Sequence, residues 1–200
     1  MTEASPPLRR VCVFCGSSPG AQVAFRDAAE HLGHTLTAAG IGLVYGGASV
    51  GLMGRLADTM LAAGGEVIGV IPRAMVEQEV AHRGLADLRV VASMHERKAL
   101  MADLADAFVA LPGGLGTLDE LFEILTWAQL GLHSKPIGLL EVGGYFTPLL
   151  AFLDGAVDAR FLAPGHRAML LVANDPTALL AAFRAYQPPT PFKWLDRPAR

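Results

Sequence analysis

Seven short apolar runs punctuate this chain: Val11 to Phe14, Gly42 to Tyr45, Val67 to Ile71, Leu88 to Val91, Ala107 to Leu111, Ile137 to Leu140 and Met169 to Val172. They are continuous rather than alternating, the pattern of strands covered on both faces. Helix-like segments separate most of them. Ala21 to Ala39 stops at Gly40 and Leu52 to Ala63 at Gly64, each glycine standing where a left-handed C-terminal cap belongs. Parallel strands need crossover connections, and the helices that supply them cover both faces of the sheet. The alternation therefore predicts a doubly wound, mostly parallel, Rossmann-like α/β sheet in three layers.

Other helix starts carry their own signatures. Ser93-Met94-His95-Glu96 reads as a capping box opening a helix to about Ala105, and Thr117-Leu118-Asp119-Glu120 as another opening a helix to about Leu130. Asp175-Pro176 starts the last helix, with proline in its first turn. A length of 200 residues suits one domain and is tight for two cores. The expectation is one domain over residues 1–200, with its core at about 11–186 and terminal tails at Met1 to Pro7 and Pro188 to Arg200.

Composition narrows the setting. Hydrophobic residues make up 52% and charged residues only 18%, so much of the chain must be buried in protein. The uncharged stretch from His31 to Gly54 is interrupted by seven glycines and three Thr/Ser residues, which argues against a membrane span. A net charge of −3 offers no basic field for a nucleic-acid polymer, and Arg9-Arg10 lacks the apolar run of a signal peptide. A cytoplasmic protein is expected. Cys12 and Cys15 form a C-x-x-C without a second pair to complete a zinc site. They read as buried or strand-end cysteines; a redox pair would need exposure at a helix start, a position open only to Cys15.

Glycine is abundant, at 22 residues, and it clusters directly after strands. In open α/β sheets, ligands bind beyond the carboxyl ends of the strands, where glycine permits close backbone approach and helix N-termini offer free N–H groups. Three loops qualify: Gly16-Ser17-Ser18-Pro19-Gly20, Gly46 to Gly54, and Pro112-Gly113-Gly114-Leu115-Gly116-Thr117. None is a P-loop or a Rossmann G-x-G-x-x-G fingerprint. The third nevertheless has the makings of a phosphate cradle, with exposed amides, the Thr117 hydroxyl and the positive end of the following helix.

Two charged residues near these loops have alternative readings. Glu120 either completes a capping box to Thr117 or stands as a carboxylate beside the cradle, with Glu123 on the same side of the helix. Arg97 either lies on a solvated helix face or offers its planar fork to a phosphate or carboxylate. The six histidines, His31, His34, His82, His95, His133 and His166, show no metal spacing, so no metal and no cofactor is assigned.

Taken in order, Gly46-Gly47-x-x-x-Gly51-Leu52-Met53-Gly54, Met94-His95-x-Arg97-Lys98 and Pro112-Gly113-Gly114-x-Gly116-Thr117-x-Asp119-Glu120 resemble the LONELY GUY family of cytokinin-activating phosphoribohydrolases, over roughly Val11 to Tyr186. Members of this family were historically labelled possible lysine decarboxylases. The resemblance implies hydrolysis of the N-glycosidic bond of adenine-type nucleoside 5′-monophosphates to free base and ribose 5-phosphate, by a homodimer whose site lies close to the subunit interface. It implies that Arg97 and Glu120 are the catalytic pair and that Gly113, Gly114, Gly116 and Thr117 hold phosphate. Glu79, Lys98, Asp119 and Thr126 match positions lining the substrate site, and Gly47 and Ser18 of the other two glycine loops are added to the substrate-binding set. The chain departs from the family's usual residues at Ala48, often Gly, and at Asp119, often Glu.

Departure of the base leaves positive charge on the ribose, which a nearby carboxylate stabilises while accepting a proton from water. Glu120 fits that role, with Arg97 orienting the nucleotide and favouring the ionised carboxylate. Lysine decarboxylation has less support, since Lys98, Lys135 and Lys193 are the only lysines and none sits in a recognisable pyridoxal context. Two rivals stay open: a general AMP or purine nucleotide nucleosidase, and a non-catalytic nucleotide carrier on the same scaffold.

Overall fold

A computed structural model describes residues 7–77 and 81–189. Its strands are β1 (Arg10–Phe14), β2 (Gly42–Tyr45), β3 (Val67–Pro72), β4 (Asp87–Val91), β5 (Ala107–Ala110), β6 (Ile137–Leu140) and β7 (Leu170–Ala173). Between and after them run α1 (Val23–Ala38), α2 (Gly51–Ala62), α3 (Arg73–Glu77), α4 (Met94–Leu104), α5 (Leu115–Gln129), α6 (Thr147–Asp158), α7 (Pro164–Arg167) and α8 (Pro176–Ala185). All seven strands form one parallel sheet in the order β4-β3-β2-β1-β5-β6-β7. The predicted doubly wound α/β sheet is present, and each apolar run lies in its strand to within a residue or two. Most of the expected tails, and Glu79, lie outside the described residues.

The strand period of two sorts side chains between two cores. Val11 and Val13 pack with Leu32 and Leu36 of α1, Leu56 and Met60 of α2 and Phe183 of α8. Cys12 and Phe14 face the opposite way, among Met101 of α4, Leu121 and Ile124 of α5 and Leu153 of α6. Each fully buried Leu, Ile or Phe contributes about 1.5–3 kcal/mol, so the covered central strands anchor the fold. The edges differ from the expected two-sided burial. β4 is only partly covered and exposes Val90, and Asp87 pairs with Arg89 along it, a charged edge that discourages further strand addition.

Local signals explain several helix ends. Gly40 and Gly64 have φ of +67° and +75°, the left-handed caps expected. Ser93 accepts from the Glu96 N–H at 3.1 Å, while the Glu96 carboxylate reaches past the cap to the Ala92 N–H at 2.8 Å. Asp175 caps α8 by accepting from the Ala178 N–H at 2.9 Å. Both cysteines are buried and free, and burial pushes both thiols up, which supports a packing role and removes the redox reading. The uncharged His31 to Gly54 stretch is spread over α1, β2 and the start of α2; among the described residues no helix is long and apolar enough to cross a membrane.

Candidate active site

The strand order reverses at β1, whose neighbours are β2 and β5, and the resulting crevice opens beyond the strands' carboxyl ends. All three glycine loops meet there. The Gly16 N–H donates to the Pro112 carbonyl at 3.1 Å, and the Leu52 N–H donates to the Gly16 carbonyl at 3.0 Å. Glycine makes these approaches possible: a Cβ on Gly113 would lie 2.8 Å from the Gly16 nitrogen, and Gly51, at φ +59°, lies directly against the Ser17 backbone. Ser18 is exposed in the first loop, beside Gly51.

The third loop corrects one expectation. Thr117 does not cap a helix; α5 begins at Leu115, with Gly114 as an extended N-cap that makes no side-chain cap hydrogen bond. Thr117 is buried inside the first turn, so Glu120 lies deeper in the helix than a capping-box partner would. The reason is that glycine serves as an N-cap through its backbone alone, and the Leu118 N–H already closes onto the Gly114 carbonyl at 3.1 Å. The first-turn N–H groups are therefore left without a side-chain cap, an arrangement suited to an anion. Gly114 and Gly116 are exposed, and a Cβ on either would meet nothing within 4 Å, so there is room over the cradle.

Glu120 instead faces Arg97. The Arg97 Nη2 lies 2.9 Å from Glu120 Oε1, with both residues only 9% exposed. Arg97 Nε donates to the Val70 carbonyl at 3.2 Å and Nη1 to the Met94 sulfur at 3.1 Å, which fixes the plane of the guanidinium. Gly46 leaves the space for this group, since a Cβ there would collide with Arg97 Nη2. The ion pair is held by charge rather than by a well-directed hydrogen bond, and among the described residues Glu120 Oε1 finds no other donor. Burial raises the Glu120 pKa above the usual glutamate value, and Arg97 pulls it only part of the way back. The expected preference for ionisation is thus outweighed by desolvation.

Lys98 forms the second bridge between α4 and α5, with Nζ at 3.1 Å from both Asp119 and Glu123. Arg97, Lys98, Asp119 and Glu120 are therefore gathered beside the Gly113 to Thr117 loop. Gly47 is placed differently: it is buried under Ile71 and Leu88, and its carbonyl accepts from the His82 N–H at 2.8 Å, so it anchors the segment leading into β4. Thr126 is exposed well along α5, bonded back to the Phe122 carbonyl at 2.7 Å. Nothing in the sequence marks the Val70 carbonyl or Met94 as partners of Arg97, and Gly46 stands out there only as part of a motif. The paired glycines directly after β2 were the available signal for Gly46.

Comparison with known proteins supplies the relationship. A family described as "possible lysine decarboxylase" matches residues 53–183. A rice protein (Oryza sativa subsp. japonica) named probable cytokinin riboside 5′-monophosphate phosphoribohydrolase is 50% identical over 181 residues, 90% of this chain and 72% of its own. An Arabidopsis thaliana cytokinin riboside 5′-monophosphate phosphoribohydrolase is 47% identical over 188 residues, 94% of this chain and 87% of its own. Among solved structures, the molybdenum cofactor binding protein of Rippkaea orientalis superposes with a TM-score of 0.67 at 20% identity, covering 90% of this chain and 98% of that one. The molybdenum cofactor carrier protein of Chlamydomonas reinhardtii gives 0.67 at 23%, covering 90% and 97%; at such identities these two share the fold alone. Relatives about half identical over nine-tenths or more of this chain mean that it belongs to the LONELY GUY family, within the wider group described as possible lysine decarboxylase.

Proposed function

We propose that the chain hydrolyses the N-glycosidic bond of adenine-type nucleoside 5′-monophosphates, cytokinin riboside monophosphates in particular, to free base and ribose 5-phosphate. The observation that carries this reading is the buried Arg97–Glu120 pair beside a helix N-terminus capped only by the backbone of Gly114. Phosphate held by the N–H groups of Gly114, Leu115, Gly116 and Thr117 fixes one end of the nucleotide. Glu120 then accepts a proton from water as the water oxygen bonds to the ribose C1′ and the C1′–base bond breaks. The departing base carries away the bonding electron pair and takes a proton from solvent, and Glu120 then releases the proton it took from water to solvent, which restores the carboxylate. A carboxylate raised by burial is a better base for this step than an exposed one, and its charge stabilises the cationic ribose.

Lysine chemistry does not fit the same residues. The Lys98 amine would be lowered by burial alone, but its bonds to Glu123 and Asp119 outweigh that and raise it, the opposite of what a Schiff-base lysine needs. Lys135 donates to the Ala102 carbonyl at 2.7 Å, away from the glycine loops. The test of function is to incubate the protein with isopentenyladenosine 5′-monophosphate, AMP, GMP and CMP and to follow free base. Release from the adenine nucleotides, fastest with the substituted one, is expected. Equal release from all four would replace the substrate class with a general nucleosidase, and no release from any would leave a carrier.

Gly46 provides a check on geometry. The atoms that an alanine there would displace are the ends of the flexible Arg97 and Met53 side chains rather than backbone, so Gly46→Ala should still fold, at a cost of up to the ~3–5 kcal/mol of breaking the buried pair. It should nevertheless move the guanidinium off Glu120 and lower turnover by about 100-fold, as small misplacements at a reacting centre do. A fully active Gly46→Ala protein would show that the Arg97 position is unimportant.

The working unit in this reading is a homodimer. Thr126 is about two and a half turns of helix beyond Thr117, roughly 14 Å along the α5 axis, and in this reading it contributes to the substrate site of a second copy. Thr126 lines a shallow groove along α5 with Leu115, Leu118, Asp119, Phe122, Glu123 and Trp127, and Leu115 is 87% exposed. Sedimentation at assay concentration should give twice the chain mass; a fully active monomer would remove this part. A nucleotide substrate and two free cysteines suit a cytoplasmic setting.

A further inference from the structure

Beyond β6 a fourth glycine pair shapes the same edge of the sheet. Gly143 and Gly144 have φ of +60° and +80°, a left-handed turn that carries Tyr145 back toward the loop following β5. The Tyr145 hydroxyl donates to the Gly113 carbonyl at 2.6 Å. A carbonyl only accepts, so the proton in this short bond belongs to the tyrosine.

We propose that Tyr145 is a positioning residue for 5′-phosphate recognition, acting through the Gly113–Gly114 peptide. In a trans peptide the carbonyl and the following N–H point in opposite directions. Tying the Gly113 carbonyl to Tyr145 therefore turns the Gly114 N–H away from the tyrosine, as one of the four unpaired donors that open α5. The preceding peptide is tied as well, through the Pro112 carbonyl that accepts from Gly16. Glycine is otherwise the residue most free to rotate here, so two successive anchored carbonyls convert a floppy segment into a preset cradle.

The tyrosine is itself held firmly. Its ring meets Phe25 edge-on at 5.5 Å and Phe146 at 5.1 Å. Glu141, at the end of β6, accepts from the Phe146 N–H at 2.9 Å and so fastens the turn to the sheet. Phe25 also packs against Gly20 of the first glycine loop, where a Cβ would come within 2.6 Å of its ring. One aromatic cluster thus connects the first and third glycine loops.

This inference rests on the third loop holding phosphate, as proposed above, and its test reads binding apart from hydrolysis. Tyr145→Phe removes the hydroxyl and keeps both ring contacts, and thermal unfolding near that of the parent verifies folding. Calorimetry with ribose 5-phosphate should show affinity weakened by about five- to tenfold, the effect of one lost hydrogen bond. Inhibition by adenine, which has no phosphate, should change less than about twofold, and KM for the monophosphate should rise while kcat changes little. Unchanged ribose 5-phosphate affinity overturns the proposal. So does equal weakening toward ribose 5-phosphate and adenine, which marks a merely structural role, and so does a parent protein that does not bind ribose 5-phosphate. A parent that binds it, and loses it selectively in Tyr145→Phe, supports the proposal even if no base is ever released; in that case the hydrolase reading alone fails.

Discussion

Replacing Glu120 by glutamine should lower the rate of base release by about 10²–10⁴-fold, the usual contribution of a positioned general base, while nucleotide binding changes little. Glutamine keeps the size of the buried side chain and its oxygen near Arg97 but cannot accept a proton. The pH profile supplies an independent check. Because burial raises the Glu120 pKa, kcat/KM of the parent should fall as pH drops through a value above the ordinary 4.5 of a glutamate. Only the ionised carboxylate takes a proton from water, so activity is present above that pKa and lost below it. Glu120→Gln should remove this acid limb from whatever activity remains. A variant with near-parental turnover, or an unchanged acid limb, would take the general-base role away from Glu120.

The central strands were legible because a strand covered on both faces needs unbroken apolar sequence, as in Val11 to Phe14 and Ala107 to Ala110. The edge strands were less so, since β4 mixes Asp87 and Arg89 into its run to discourage pairing. The start of α5 was misread for a local reason. Thr117 and Glu120 have capping-box spacing, but the same spacing also occurs within a helix, and the actual cap, Gly114, has no side chain to announce it. Arg97 and Glu120 could each be picked out by motif, but their contact joins two separate helices and depends on tertiary packing. The same holds for Gly46, whose importance is the volume it leaves to a side chain from α4, and for Tyr145, which acts on a loop belonging to another strand.

Removing Arg97 should be costly for a reason separate from catalysis. Arg97→Met leaves the Glu120 carboxylate buried without its countercharge, and breaking a buried pair from one side costs about 3–5 kcal/mol. For a chain of this size that lowers the melting temperature by roughly 6–20 °C. The deficit has a definite pH dependence. Without Arg97 the larger of the two influences pulling the Glu120 pKa down is gone and only Lys98 remains, so the folded state binds a proton even more readily. A carboxyl raised in the folded state favours folding below its unfolded pKa and surrenders that contribution as pH rises through the folded value. Arg97→Met should therefore be weakest at alkaline pH and recover as the medium is acidified. In Arg97→Met/Glu120→Gln no charge is left to bury, and much of the lost stability should return at alkaline pH, while base release stays as low as in either single variant. Calorimetric unfolding of the four proteins across pH, alongside the base-release assay, separates the two contributions. A double variant no more stable than Arg97→Met would show that the two side chains are not energetically coupled. Recovery of stability without activity is the outcome required of a pair whose charges are retained for chemistry rather than for the fold.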